Sequence, residues 1–166
     1  MDNLDAIARQ AMIQHDLLPD FSPEAQRQAD SISQPNAKAR PAIHDLRALL
    51  WCSIDNDDTR DLDQLTVAEQ GAGGAIKILV AIADVDAFVA RGSAIDDHAS
   101  SNTTSVYTAA KVFSMLPERL STDLTSLHEG QERLAVVVDM AIDTVGENHC
   151  LRRVSRTRAE PRQAHL

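Results

Sequence analysis

The pattern of apolar residues predicts an α+β fold, a mostly antiparallel sheet with flanking helices. Three observations lead to it. Residues 2–18 place Leu4, Ile7, Ala8, Ala11, Met12 and Leu18 near one helical face. Residues 65–69 and 76–84 are strand-like, and Gly71, Gly73 and Gly74 between them form a hairpin turn. Residues 134–142 (LAVVVDMAI) are an apolar run of strand length, the pattern of a buried strand, with Gly146 following its turn. Taken in order, the first helix is expected to end at Pro19, which lacks the N–H to continue it. Ser22-Pro23-Glu24 reads as a second helix start, serine as N-cap and proline in the first turn. Residues 31–42 have no periodicity and two prolines, so they read as a linker. Residues 46–54 lead into a strand ending at Ser53 and Ile54. Beyond the hairpin, Arg91-Gly92 marks a turn, a short helix is expected to begin near Ser93, and residues 103–107 are expected to be extended.

The chain has 166 residues, 43% of them apolar and only five aromatic, enough for a core of ordinary size. No apolar run approaches the roughly 18 residues of a membrane span, so no membrane partner is expected. Asp2 and Asp5 replace the basic-then-apolar start of a secretory leader, and the two cysteines, Cys52 and Cys150, are too few for a disulfide framework. A cytoplasmic setting follows as the default, and no protein partner is evident. The net charge of −9 is uneven, since residues 1–146 balance to −12 and the last twenty to +3. On charge alone the acidic body argues against a nucleic-acid partner.

The densest chemistry is in SIDNDDTRDLDQ, where Asp55, Asp57, Asp58, Asp61 and Asp63 crowd just after the expected strand. Like charges at such density repel unless a cation neutralises them. If the short loop folds back, Asp55, Asp61 and Asp63 converge, and hard oxygen ligands of that kind suit Mg²⁺ or Mn²⁺. A solvated acidic loop is the alternative, and the residues alone leave both open. An EF-hand is excluded, because Arg60 stands where its glycine is needed and Thr66 where its glutamate belongs. The six histidines share no metal-like spacing, and Cys52 reads as a small packed hydrophobe.

Four blocks narrow the choice. SIDNDDTRDLDQL, ILVAIADVDAFVARGSAID, NTTSVYTAAKVFSMLPERLSTDLTSL and ERLAVVVDMAID follow one another over roughly residues 45–146. In order and spacing they resemble the RNB catalytic domain of the ribonuclease II and ribonuclease R family. The resemblance implies a metal-dependent hydrolytic exoribonuclease that releases nucleoside monophosphates from single-stranded RNA in the 3′→5′ direction, using carboxylate-held Mg²⁺, with Mn²⁺ as an alternative. It implies catalytic and metal-ligating roles for Asp55, Asp61 and Asp63, with Asp63 most needed for catalysis. Gln64 stands at the family's fourth aspartate and offers a carbonyl oxygen with one charge fewer; Asp57 or Asp58 is near enough to compensate. Tyr107 corresponds to an aromatic residue that stacks on an RNA base, although its own chemistry equally suits an anchor at a sheet edge. Asp84 falls close to the family's site, with a loop-bracing role as the alternative, and Met115 to Glu118 match an architectural hallmark.

The resulting organisation is a helical lead-in and linker over residues 1–44, a partial RNB catalytic domain over 45–146, and a non-family tail over 147–166. The tail is arginine-rich and without apolar periodicity. Codons exist for residues 160–166 that, read one nucleotide later, spell Asn-His-Ala-Lys-Leu-Thr, which resembles the family's next signature. The chain is therefore expected to leave the family's reading frame after about residues 147–151. The isolated chain is in turn expected to be an inactive or weakly active fragment. A non-catalytic metal- or RNA-binding remnant and an unstable pseudogene product are the alternatives.

Overall fold

The structure, a computed structural model, describes residues 4–35, 43–56, 58–149 and 155–159. In chain order these form α1 (Leu4–Gln14), α2 (Pro23–Ser31), β1 (His44–Asp45), β2 (Gln64–Gln70), β3 (Ile76–Ala83), α3 (Ala94–Asn102), β4 (Val106–Tyr107), β5 (Val112–Phe113), β6 (Arg133–Ile142), β7 (Asn148–His149) and β8 (Ser155–Ala159). The α+β class is as expected. The chain divides into two compact units, Met1–Pro35 with Asp86–Leu120, and Asn36–Val85 with Ser121–Leu166.

The first unit is helical. Ser22 caps α2 by accepting the Ala25 N–H at 3.1 Å, with Pro23 in the first turn. This aims the small face of α2, Ala25 and Ala29, inward, and both are fully buried. Gln28 of the same helix accepts the Ile95 N–H at the start of α3, which Ser93 caps. Asn102, buried at the end of α3, accepts the Leu18 N–H at 2.8 Å and donates to the Leu18 carbonyl at 2.9 Å. One side-chain amide thus satisfies both backbone polar groups of Leu18. The His98 ring lies 4.1 Å from the Phe21 ring, and burial holds its pKa below the ordinary histidine value. β4 and β5 pair as a small hairpin in this unit.

The second unit is a sheet of strand order β1-β8-β6-β3-β2, with β7 also on β6. Among the described residues, only the β1–β8 pair is parallel. The β2–β3 turn uses Gly73 and Gly74 at φ +67° and +83°, a backbone region that glycine adopts without the usual side-chain clash. One face of the sheet carries the core: Trp51, Leu65, Leu127, Ala135 and Ala159 are fully buried, with Val67, Leu79, Ala81 and Val137 beside them. Trp51 donates its indole N–H to the Leu46 carbonyl at 2.9 Å, so its burial leaves no polar group unsatisfied. On the other face, Ile76, Ile78, Val80 and Ile82 stand opposite Ile142, Met140, Val138 and Val136. Apolar residues on both faces explain why these strands read as continuous runs rather than alternating ones.

Three expectations are corrected. α1 ends at Gln14 rather than at Pro19, because the Leu17 N–H folds back to the Met12 carbonyl with Asp16 at φ +58°. No strand runs to Ile54; Cys52 makes a single bridge to Thr66, and the first strand is His44–Asp45. The third concerns the tail, whose sequence, without apolar periodicity, suggested no obvious fold. Its Ser155–Ala159 segment is β8, lying between β1 and β6, with Thr157 donating its hydroxyl to the His44 carbonyl at 2.6 Å. Alternation of Thr157 and Ala159, both fully buried, supplies an inward face that the arginine-rich composition concealed. Of the linker, residues 36–42 lie outside the described residues, as do Cys150 to Val154 and Glu160 to Leu166 of the tail.

A candidate metal centre in the aspartate loop

The aspartate loop is fastened at both ends to the β2–β3 hairpin. At its start, Cys52 and Thr66 exchange backbone hydrogen bonds at 2.9 and 2.8 Å. At its end, the Ala83 N–H donates to the Asp63 carbonyl at 2.9 Å, and Gln64 opens β2 opposite Ile82. A chain that leaves and rejoins one strand must turn between, which returns Asp55 toward Asp61 and Asp63. Ser53 donates its hydroxyl to the Asp55 carboxylate. Thr59 closes a turn onto the Asn56 carbonyl at 3.0 Å. Asp55 and Asp58 are exposed, and Asp57 lies outside the described residues.

The loop is electrostatically strained. Asp63 is at the surface, yet shielding of its carboxyl raises its pKa above the usual aspartate value, and the neighbouring charges of Asp61 and Asp55 push it further in the same direction. The two neighbours are therefore close enough to oppose its ionisation. A divalent cation would relieve that repulsion, and carboxylate oxygens with the Gln64 carbonyl are the hard donors such a cation takes. The residues fit Mg²⁺ or Mn²⁺ on that test. A cavity of about 220 Å³ on the core face, lined by residues including His44, Leu49, Glu69, Lys77 and Asp139, includes none of the loop aspartates. Charge rather than concavity distinguishes the loop.

A second ligand group was not legible in the sequence. Among the described residues, the set of three metal-ligating side chains drawn within 4.8 Å of one another is Asp143, Glu147 and His149, not the loop aspartates. His149 is the one histidine of this group. The turn around Gly146, at φ +85°, folds β7 onto β6 and brings the three together. Their signal was spacing across a turn, which only the pairing register reveals.

Asp84 is buried and ends β3, its N–H donating to the Leu134 carbonyl at 3.1 Å. Tyr107 belongs to the other unit, on β4 opposite Val112, and is 70% exposed, as a side chain open to a partner would be.

The loop at the hairpin and all of the sheet but the end of β8 lie within residues 43–157, which match the RNB domain. The chain belongs to the RNB family. It is similar to Ribonuclease R of Thermotoga maritima, 38% identical over 138 residues, which cover 81% of this chain and 19% of that protein. Among solved structures it resembles Mycoplasma genitalium RNase R in complex with ribose-methylated single-stranded RNA, with a TM-score of 0.80, 27% identity, and coverage of 95% of this chain and 25% of that one. It also shares its fold with yeast Ssd1, a pseudonuclease, at a TM-score of 0.64 and 18% identity, over 77% of this chain and 16% of that one. The chain spans less than a fifth of the length of the curated relatives it matches. The family match runs past residues 147–151, where the sequence was expected to depart from the family. Among the described residues no helix is long and apolar enough to cross a membrane.

Proposed function

We propose that this chain carries the cation-binding part of a 3′→5′ exoribonuclease site that acts on single-stranded RNA and releases nucleoside monophosphates in the cytoplasm. The observation that carries the reading is the aspartate loop, where burial and the charges of Asp61 and Asp55 together oppose ionisation of Asp63. Asp55, Asp61 and Asp63 would hold Mg²⁺, or Mn²⁺, with the Gln64 carbonyl as a weaker fourth donor. When bound, such an ion activates water and neutralises charge on a phosphodiester. Asp63, whose ionisation its surroundings oppose, would be the ligand on which catalysis most depends. Asp61 and Asp55 set its charge and orientation. Tyr107 offers its exposed ring to a base, a contact indifferent to sequence. Removing the ring in Tyr107→Ala should weaken binding of a single-stranded oligonucleotide by about 1–3 kcal/mol in fluorescence anisotropy.

The isolated chain is proposed to have little or no turnover. Processive degradation of single-stranded RNA by the purified chain, abolished in Asp63→Asn, would overturn that part. One observation favours a second reading, a binding module without turnover: Gln64 removes a negative charge from the family's donor set. Calorimetric titration of Mg²⁺ into the wild type and Asp55→Asn separates that reading from an inert fragment, which would show no saturable heat in either.

A further inference from the structure

Ser126 lies in the STDLTSL segment, for which the sequence suggested no role. We propose that Ser126 is a positioning residue for the aspartate loop, its hydroxyl gripping the peptide groups on either side of Asp61; the inference rests on reading that loop as a cation site. The Ser126 side chain is 1% exposed. Its Oγ accepts the Leu62 N–H at 2.9 Å and donates to the Arg60 carbonyl at 3.0 Å. Asp61 is the residue between, so one hydroxyl restrains the backbone on both sides of it.

The clamp continues in both directions. The Leu127 N–H donates to the Leu62 carbonyl at 2.9 Å, and the Ala83 N–H of β3 holds the Asp63 carbonyl at the same distance. Ser126 is itself held from β6, where Arg133 donates through Nε to the Ser126 carbonyl at 3.2 Å and through Nη2 to the Asp123 carbonyl at 3.1 Å. Asp61 and Asp63 are thus tied to two central strands rather than left on a free loop.

Electrostatics gives this restraint a purpose. Carboxylates that repel one another would drift apart in a flexible loop, and a cation would then have to draw them back. Backbone held in place beforehand removes that cost and tightens binding. Groups that orient ligands without touching the metal commonly affect metal affinity by about 10–100-fold. Alanine at this position would leave the Leu62 N–H and the Arg60 carbonyl without the partner that now satisfies both.

The test uses the full 166-residue chain with Mn²⁺ alone as probe, its affinity read by electron paramagnetic resonance, together with amide exchange at Leu62 and the thermal transition. Asp63→Asn is expected to abolish saturable Mn²⁺ binding. Ser126→Ala should weaken it by about tenfold or more and speed exchange of the Leu62 amide, while melting stays cooperative. Ser126→Thr, which keeps the hydroxyl, should recover most of the affinity. If Ser126→Ala does not melt cooperatively, Ser126→Cys, close in size but a poor hydrogen-bonding group, is read instead and should show the same two changes. Wild-type Mn²⁺ affinity in the serine variant, with binding lost in Asp63→Asn, overturns the role of Ser126 alone. Wild-type affinity in Asp63→Asn overturns the metal reading and this inference with it.

Discussion

The sheet unit holds two groups of potential metal ligands, and the pKa of one aspartate in each is shifted, in opposite directions. In the turn after β6, Asp143 accepts N–H groups from Val145 and Glu147 at 3.0 and 2.9 Å, and His149 Nε2 lies 2.9 Å from its other oxygen. His149 first, then the backbone, lowers its pKa. In the loop before β2, shielding first and then the charges of Asp61 and Asp55 raise that of Asp63. The turn supplies its own counter-groups and has no deficit for a metal to fill, although its ligand atoms are the closer set. Every cause of the Asp63 shift opposes its ionisation, which makes the loop the better candidate for a cation. The two groups are thus told apart by the opposite directions of the shifts at Asp63 and Asp143.

The largest test of that contrast is Asp63→Asn, expected to remove Mg²⁺ binding altogether, whereas Asp143→Asn should leave it unchanged. Equal losses in isothermal calorimetry would erase the distinction. Next, Mg²⁺ at a hundred times its dissociation constant should stabilise the sheet unit by about 2.7 kcal/mol. Chelation should reverse the gain, and Asp63→Asn should not show it. A smaller effect is expected from Gln64→Asp, which adds a fourth carboxylate. Mg²⁺ affinity should rise several-fold while the metal-free protein melts at a lower temperature, because one more like charge joins the cluster. A change in only one of these two quantities would count against Gln64 as a donor.

The smallest effect belongs to the turn. The folded pKa of Asp143 lies below the ordinary value of 3.8, so the unfolded chain takes up its proton first as acid is added. Its stabilising contribution is complete above that ordinary value and is lost as pH falls through the folded pKa. The melting temperatures of wild type and Asp143→Asn should therefore differ modestly near neutrality and converge in acid. A difference that persists at the acid end would mean that something other than this carboxylate's ionisation separates them.

Much of the architecture was legible. Glycines at 71, 73 and 74 marked the hairpin, Ser22-Pro23 marked α2, and Ser93 marked α3, because turns and caps depend on the residues that make them. The place of Asp55, Asp61 and Asp63 in one loop was legible as well, although Gln64 is already the first residue of β2. β8 was not, since a short strand with alternating arginines satisfies its ladder with backbone groups any residue supplies. Ser126 was not legible either, being one of many serines until its hydroxyl is found between Arg60 and Leu62.

The amino-acid sequence by itself determined the fold class, the hairpin and the concentration of negative charge, since apolar period, glycine placement and charge density are local properties. Tertiary structure alone decided which carboxylates are strained and which are satisfied. Whether an aspartate meets an N–H, an imidazole or another aspartate depends on strand register and on segments distant in the chain, and a shift of one residue in that register would exchange those neighbours.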